Sequence, residues 1–523
     1  MARLYTQLNK SLRTCPLEAR FPKFLPADEL DRITLDNIQA ELPFRTQVFS
    51  PHLPQKVASE AKRVFCILVL MEDPAAIVQL IKEGITDEDL PLCRNDDDDN
   101  DSEYNVLASV GGNKRFPSSM AWGQGEKVET FLKKQWVVQS PILDKPGWHF
   151  VLDPECPLPL TECETEHAKG GMGVVHKAKL HPAHHCLFKV ILDPQHDDNS
   201  LTYSQGDDET YIAIKEIHRK EDFIREKTNL DIIQRLQNRH LISLLASCER
   251  GSAYYLLFPW ANGGTLRDFW EEQDANPRTR NLIRWALGQI LGLVDGLRAL
   301  HNRNIRHGDI KPQNILVFEE PKGDHAVTLV LADMGVSKFH KEATDLRKSA
   351  TITAESTVSY EAPEADEDQR NNKPRPRRYD MWPAGCMFLE FTVWLVYNCA
   401  AVEGFYKQRK AQNDPVSQGN FFSRELDQST EIHPAVTEAI RHLREHPLCK
   451  DGTALGDLVT LINDRLLQIK PGDRAEAPEL YDRVKTIVDA AAAKPEYLGQ
   501  EVKQPLPTPG FFSPPGSRKG SSS

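Results

Sequence analysis

Apolar residues recur at roughly helical spacing through most of the first 150 positions. Over Asp28–Leu42 and Gln55–Met71 that spacing predicts two amphipathic helices. Ala75–Gly84 reads as a short helix stopped by its glycine. Cys66–Met71 is continuously apolar and belongs in a core. From about residue 157 the pattern changes. Tyr211–Ile217 and Tyr254–Phe258 have the length and composition of strands, and between them Glu221–Gln237 reads as a helix. Glu226, Leu230, Ile233 and Leu236 share one face of that helix. A long amphipathic helix is predicted over Asn281–His301, then short buried strands at Ile315–Val317 and Leu329–Leu331. The most apolar run, Ala384–Val402, carries Glu390 and Asn398, which fits a helix buried in a large core better than a membrane span. Amphipathic segments continue to about Lys494, and residues 495–523, rich in Pro, Gly and Ser, are expected to be disordered.

Composition narrows the classes. A chain of 523 residues has room for two or three domains. Its net charge of −12 argues against a general nucleic-acid-binding surface. Ten scattered cysteines without a CxxC pair suit reduced thiols in the cytoplasm or nucleus, and the N-terminus lacks an apolar signal core. Three stretches hint at chemistry and are read as structural. The acidic run Asn95–Asp101 lacks, in register, the glycine and terminal glutamate of a calcium loop and reads as a solvated loop. His181–Cys186 has no second ligand pair at zinc spacing and reads as a surface hairpin turn. The basic turn Lys373–Arg378 reads as a solvated or substrate-facing loop, with nuclear import as the alternative. Trp122, Phe131, Trp136, Trp148 and Phe150 are expected to pack where the N-terminal region meets the next domain.

Candidate chemistry is concentrated at His307–Val317. Gly308 and Pro312 interrupt any helix, so Asp309, Lys311 and Asn314 sit on a loop that leads into a strand. About twenty residues later a second strand delivers Asp333 onto a Gly turn. Two strand-anchored loops offering carboxylate and amide oxygens suit Mg²⁺ and a phosphoryl group, with a separate carboxylate to orient an attacking hydroxyl. The arrangement resembles the catalytic loop and metal-binding triplet of protein kinases.

Further landmarks follow in that family's order over roughly residues 157–490. Ala168 to Ala178 resembles the Gly-rich loop, with Ala168 in place of its first glycine, and Gly170 and Gly173 leaving room for phosphate beside the backbone. Tyr211–Ile217 is similar to the strand whose lysine clamps the phosphates. Lys215 is preferred for that role over Lys189 because a helix bearing Glu226, its expected ion-pair partner, follows directly. Tyr254–Gly264 resembles the edge strand and hinge. The resemblance implies an adenine site formed by Val175, Ala178, Ala213, Phe258, Pro259 through its carbonyl, Ala261 through its N–H, and Leu316. It implies Asp309 as the group that orients the substrate hydroxyl, Lys311 at the γ-phosphate, Asn314 and Asp333 as Mg²⁺ ligands, and Thr357 beside Asp309 and Lys311. Lys311 and Thr357 follow the Ser/Thr pattern. Glu364 is expected to pair with Arg474, and Asp380 to accept from the catalytic-loop backbone.

The fold so implied is α+β. A bilobal kinase-like domain, with a small five-stranded β lobe (157–258) and a helical large lobe (262–490), follows a mainly helical region (1–150) that touches it within the chain. The divergent details are like those of a kinase group found in fungi. The implied function is ATP- and Mg²⁺-dependent phosphorylation of Ser/Thr in protein substrates, with no nucleic acid or membrane partner, in the cytoplasm or nucleus. Gly308 stands where many kinases carry an arginine that pairs with an activation-segment phosphate, so activity is expected not to depend strictly on phosphorylation there. Met334 replaces the usual Phe with another apolar side chain. Ala168, Gly308 and Met334 support the alternative, a pseudokinase scaffold that binds nucleotide or partners without transfer. Retention of Lys215, Asp309, Asn314 and Asp333 opposes it. In the tail, Thr508-Pro509 and Ser513-Pro514 are candidate phosphorylation sites.

Overall fold

The computed structural model describes residues 3–17, 22–94, 106–110, 114–117, 119, 126–166, 174–186, 211–319, 327–333, 358–365, 376–410, 418–424, 429–499 and 509–512. The acidic run, the Lys189 strand, the Gly-rich-loop positions Ala168, Gly170 and Gly173, Met334, Thr357 and Trp122 lie outside the described residues.

The N-terminal region carries helices α1 (Arg3–Ser11), α2 (Ala27–Asp31), α3 (Leu35–Glu41), α4 (Phe44–Phe49), α5 (Leu53–Glu60), α6 (Lys62–Leu70), α7 (Ile77–Lys82) and α8 (Glu126–Lys134). Two small sheets accompany them, one of β1 (Arg13–Thr14) and β2 (Lys23–Phe24), the other of β3 (Leu92–Arg94), β4 (Leu107–Ser109) and β5 (Arg115–Phe116). Both long predicted helices are split in two. A capping box at Thr34 starts α3, and Asp87 accepts from the Arg63 and Val64 N–H groups (3.0 Å each) to start α6. The continuously apolar run is the centre of this core, with Val64 to Leu70 all buried in α6.

Six strands form the next sheet, in the order β6 (Trp148–Leu152), β10 (Ala246–Arg250), β11 (Ala253–Pro259), β9 (Tyr211–Ile217), β8 (Val174–Leu180), β7 (Leu160–Glu166). The expected lobe had five strands. The sixth, β6, comes from upstream of residue 157 and pairs in parallel with β10, while the other neighbours are antiparallel. Trp148 and Phe150 are therefore strand residues. Trp148 is half-exposed beneath the Lys145 ammonium, whereas Phe150 packs on the small-lobe core.

The histidine-rich turn is not a surface hairpin. His184 is only 2 % exposed; its Nδ1 donates to the Pro141 carbonyl (2.9 Å) and its Nε2 accepts from the Ala27 N–H (3.1 Å), so both ring nitrogens are used. The Phe24 ring meets it edge-on. Burial pushes this imidazole down to about 4, so it stays neutral as its acceptor role requires. Among the described residues no group of three or more His, Cys, Asp and Glu side chains is placed to hold a metal ion.

Helix α9 (Lys220–Gln234) belongs to the small lobe and leans on its sheet, and the large lobe comprises α10 (Leu266–Glu272), α11 (Arg280–Asn302), α12 (Met381–Val396), α13 (Cys399–Lys410), α14 (Pro434–Glu445), α15 (Ala454–Leu461) and α16 (Ala477–Ala493). Two hairpins join them, β12 (Ile315–Glu319) with β13 (Val327–Leu331), and β14 (Phe422–Arg424) with β15 (Thr430–Ile432). Every residue of α12 is buried, the signature of a core helix covered on all sides. Among the described residues no helix is long and apolar enough to cross a membrane. Within the tail expected to be disordered, Pro495–Leu498 and Gly510–Phe512 form 3₁₀ turns, and Phe512 is fully buried.

Candidate active site

The catalytic-loop candidate is built on Asp380. Its carboxylate, fully buried at the start of α12, accepts from the His307 N–H (2.8 Å), the Gly308 N–H (2.9 Å) and His301 Nε2 (2.8 Å). Gly308 takes φ +84°, a left-handed conformation that glycine adopts without the Cβ clash other residues suffer. Burial holds the His307 imidazole below its ordinary pKa, against the pull of Asp380, Asp309 and Asp333.

Beyond this anchor, Lys311 Nζ lies 2.8 Å from Asp309 Oδ2, and Asn314 Nδ2 donates to the Asp309 carbonyl (2.8 Å) and to its Oδ2 (2.9 Å). The amide thereby keeps its nitrogen on Asp309. The Ala332 N–H donates to the Asn314 carbonyl (2.9 Å), tying this loop to the one that carries Asp333. Asp333 itself has φ +63°, uncommon for a residue other than glycine, and its side chain is half-exposed.

A second cluster joins the sheet to α9. Lys215 Nζ lies 2.8 Å from Glu226 Oε1 and 2.7 Å from Asp333 Oδ1. Glu226 is buried in the row Phe223, Glu226, Leu230 and Ile233 on the inner face of α9. Burial by itself would lower the pKa of the Lys215 ammonium; Asp333 and Glu226 outweigh it and hold the group above its ordinary value. The Glu226 carboxyl is raised by its burial, with Lys215 pulling the other way. The lysine is thus a charged group fixed by two carboxylates.

Strand register decides which adenine-site candidates share a surface. Val175 stands opposite Lys215, and Ala213 opposite Phe258, so these four side chains line one face of the sheet. All four are half-buried. Ala178 is a correction: three residues from Val175 on a period-two strand, it points the other way and is fully buried in the small-lobe core. Pro259, opposite Ile212, also faces away, which leaves only its carbonyl as a candidate contact. Ala261 is half-buried just after β11. Half-buried Leu316 comes from β12, whose neighbour Val317 exchanges hydrogen bonds with Gly263 and Gly264 (3.1 and 2.9 Å).

The sequence reading did not find the groups that hold α9. The His149 ring on β6 lies 6.0 Å from that of Phe223, which in turn lies 5.2 Å from Tyr254, and His149 Nδ1 is 3.0 Å from Ser247 Oγ. At the other end of α9, Gly147 (φ +75°) sits so close to Gln234 that a Cβ would fall 2.4 Å from its Oε1. Gly147 in a Pro-Gly-Trp turn was the only available signal. His301, the third partner of Asp380, was likewise unsignalled.

A sequence model of the family described as "Protein kinase domain" matches residues 201–480, more than half of the chain. The chain belongs to the protein kinase family. The match includes Lys215, Glu226, the hinge, Asp309, Asn314 and Asp333, and begins after the Gly-rich loop. A calcium/calmodulin-dependent protein kinase of Metarhizium anisopliae is 32 % identical over 178 residues, 33 % of this chain and 42 % of that protein. Serine/threonine-protein kinase 16 of Homo sapiens is 30 % identical over 192 residues, 34 % of this chain and 59 % of that protein. The chain thus spans less than two thirds of the length of these relatives.

Proposed function

We propose that this protein kinase transfers the γ-phosphoryl group of ATP to Ser or Thr hydroxyls of protein substrates. The observation that carries the reading is the pairing of two clusters, Asp309–Lys311–Asn314 and Lys215–Glu226–Asp333, whose Asn314 and Asp333 loops are joined by the Ala332–Asn314 backbone hydrogen bond.

The half-exposed Asp333 carboxylate and the Asn314 amide make a hard oxygen donor set that fits Mg²⁺. Bound there, Mg²⁺ would supply charge neutralisation at the phosphates. The chain's own groups do the rest. Lys215, held by Glu226, binds the α- and β-phosphates, and Val175, Ala213, Phe258 and Leu316 hold the adenine. Asp309 orients the hydroxyl and accepts its proton at a carboxylate oxygen, while Lys311 balances the charge on the transferring group. Catalysis is then positioning and electrostatic stabilisation of an in-line transfer. Ala168, Gly170, Gly173 and Thr357 are proposed for the roles the family resemblance gives them. Ser/Thr preference rests on Lys311 and Thr357 together with the similarity to serine/threonine-protein kinase 16.

The test is incorporation of labelled phosphate into the protein and into a basic Ser/Thr substrate, with phosphatase-treated wild type, Asp309→Asn and Asp333→Ala compared. Treated wild type should transfer, and both variants should lose at least about 100-fold in rate. Asp309→Asn should keep the rise in melting temperature with nucleotide. Equal transfer by Asp309→Asn would refute its role. No transfer by wild type, with nucleotide still stabilising it, would leave a nucleotide-binding scaffold instead.

A further inference from the structure

The C-terminal turn at Gly510–Phe512 is seated between α13 and α14. Phe512 is fully buried, its ring 5.1 Å from that of Tyr397 and 6.3 Å from that of Phe405. Phe511 stacks on His442 (5.2 Å, 24°), and its carbonyl accepts from Gln408 Nε2 (3.0 Å). The seat also requires a glycine: a Cβ on Gly404 would lie 1.5 Å from the Phe512 carbonyl oxygen. Shape, aromatic faces and a backbone-directed hydrogen bond together select this motif from a tail rich in Pro, Gly and Ser.

The seat continues inward. Phe405 packs edge-on against Phe421 (5.7 Å), and the Arg409 guanidinium lies against both rings, 4.0 and 3.9 Å from their centroids. Arg409 is fully buried, donates to the Gly419 carbonyl (2.9 Å), and pairs with Glu390 (2.8 Å). The other oxygen of Glu390 accepts from the Tyr360 hydroxyl. Ser359 Oγ donates to the Gln418 carbonyl (2.6 Å). Phe512 is therefore linked, through Phe405, Arg409 and Glu390, to the segment 358–365 that precedes Asp380 in the chain.

We propose that the α13–α14 cleft is a docking site for the chain's own Gly-Phe-Phe motif, and that its occupancy holds segment 358–365 in the shape that receives protein substrate. The second half rests on the kinase reading above; the first does not. Arg409 is the coupling element, because a guanidinium held against two rings and fixed to the carboxylate that Tyr360 also binds cannot shift without moving Tyr360. An empty seat withdraws the aromatic wall behind Phe405 and loosens that packing.

The experiment uses the full chain with Phe511→Ala/Phe512→Ala, and a synthetic peptide of residues 506–516 as the probe. Amide hydrogen exchange at 358–365 should speed up by about tenfold or more in the double variant and return to the wild-type rate with excess peptide. With Gly404→Ala added, the peptide should bind at least about tenfold more weakly and restore nothing. In steady-state assays, KM for a protein substrate should rise by about tenfold while KM for ATP stays within about twofold, a split that general unfolding does not produce. Wild-type exchange at 358–365 in the double variant, or a peptide that does not bind it, overturns the docking proposal. If exchange and peptide rescue behave as expected in a protein that transfers no phosphate, the seat stands and the kinase reading falls.

Discussion

Asp380 offers the sharpest test of how the active loop is held. Three donors converge on one fully buried carboxylate: the His307 and Gly308 N–H groups and His301 Nε2, all within 2.9 Å. Removing the acceptor with Asp380→Ala strands all three in a fully buried site. Each stranded donor costs about 1–3 kcal/mol, and the three share one acceptor, so about 3–6 kcal/mol is expected for the set. Asp380→Asn keeps the shape and one carbonyl oxygen but turns an NH₂ toward a donor, for an expected loss of about 2–4 kcal/mol. Part of this falls on loop order rather than global stability, because His307 and Gly308 immediately precede Asp309. A displacement of Asp309 by about 1 Å would cost about 100-fold in transfer. Urea unfolding of wild type and both variants, followed by phosphoryl transfer on the folded protein, reads the two parts separately. Asp380→Asn within about 0.5 kcal/mol of wild type and unchanged in rate would show that the carboxylate does not hold the loop.

Two further predictions concern buried charge. Arg474, fully buried, makes a two-pronged pair with Glu364 (2.6 and 2.7 Å) and also donates to the Gln468 carbonyl (2.8 Å). Arg474→Met should cost about 3–5 kcal/mol by leaving Glu364 unpaired, and Arg474→Met/Glu364→Met should recover most of it in urea unfolding; a double variant no better than the single would refute the pairing argument. His184 gives a pH signature. Its folded pKa of about 4 lies below the ordinary 6.5, so the unfolded chain binds the extra proton first as pH falls. Its contribution is complete above pH 6.5, is lost between 6.5 and about 4, and amounts to about 3 kcal/mol. Glutamine can still donate to Pro141 and accept from Ala27 without titrating, so His184→Gln should reduce the acid loss of stability by about that amount. His240, His433 and His446, also pushed down to about 4 by burial, contribute to the slope that remains. Identical slopes for wild type and variant would refute the assignment.

What could be read from the chain followed the chemistry. Phosphoryl transfer restricts residue types at short spacings, so Asp309, Lys311 and Asn314 were legible as one loop, and Lys215 with Glu226 as a strand followed by a helix. The Glu364–Arg474 and Asp380 anchors could be read only through the family resemblance, because their partners lie far away in sequence. Where no such rule applied, long-range partners were invisible. Trp148-His149-Phe150-Val151-Leu152 is a short edge strand with no clean alternation, and its partner β10 lies nearly a hundred residues on. His184 reads as a polar turn residue because its burial is created by Phe24 and Ala27, on elements more than 150 residues earlier. The misplacement of Ala178 was avoidable, since three residues along a strand always means the opposite face. The Phe511–Phe512 seat was masked by composition: adjacent aromatics in a Pro- and Ser-rich tail were the signal, and the averaged polarity outweighed them.

The glycine at position 308 acquires a reason from this geometry. At φ +84° an arginine would carry the strain of a left-handed backbone, about 1–2 kcal/mol, while its N–H would still be committed to Asp380. A loop of this shape therefore favours glycine. The segment from 358 to 365 is then held by other charges. Glu390 and Arg409 fix Tyr360 from one side, and Arg474 fixes Glu364 from the other. Glu390, Arg409 and Arg474 are all at most 3 % exposed. Buried pairs of this kind are little screened by salt. The end of the segment nearest α12 is thus tied down by the buried Arg474–Glu364 pair.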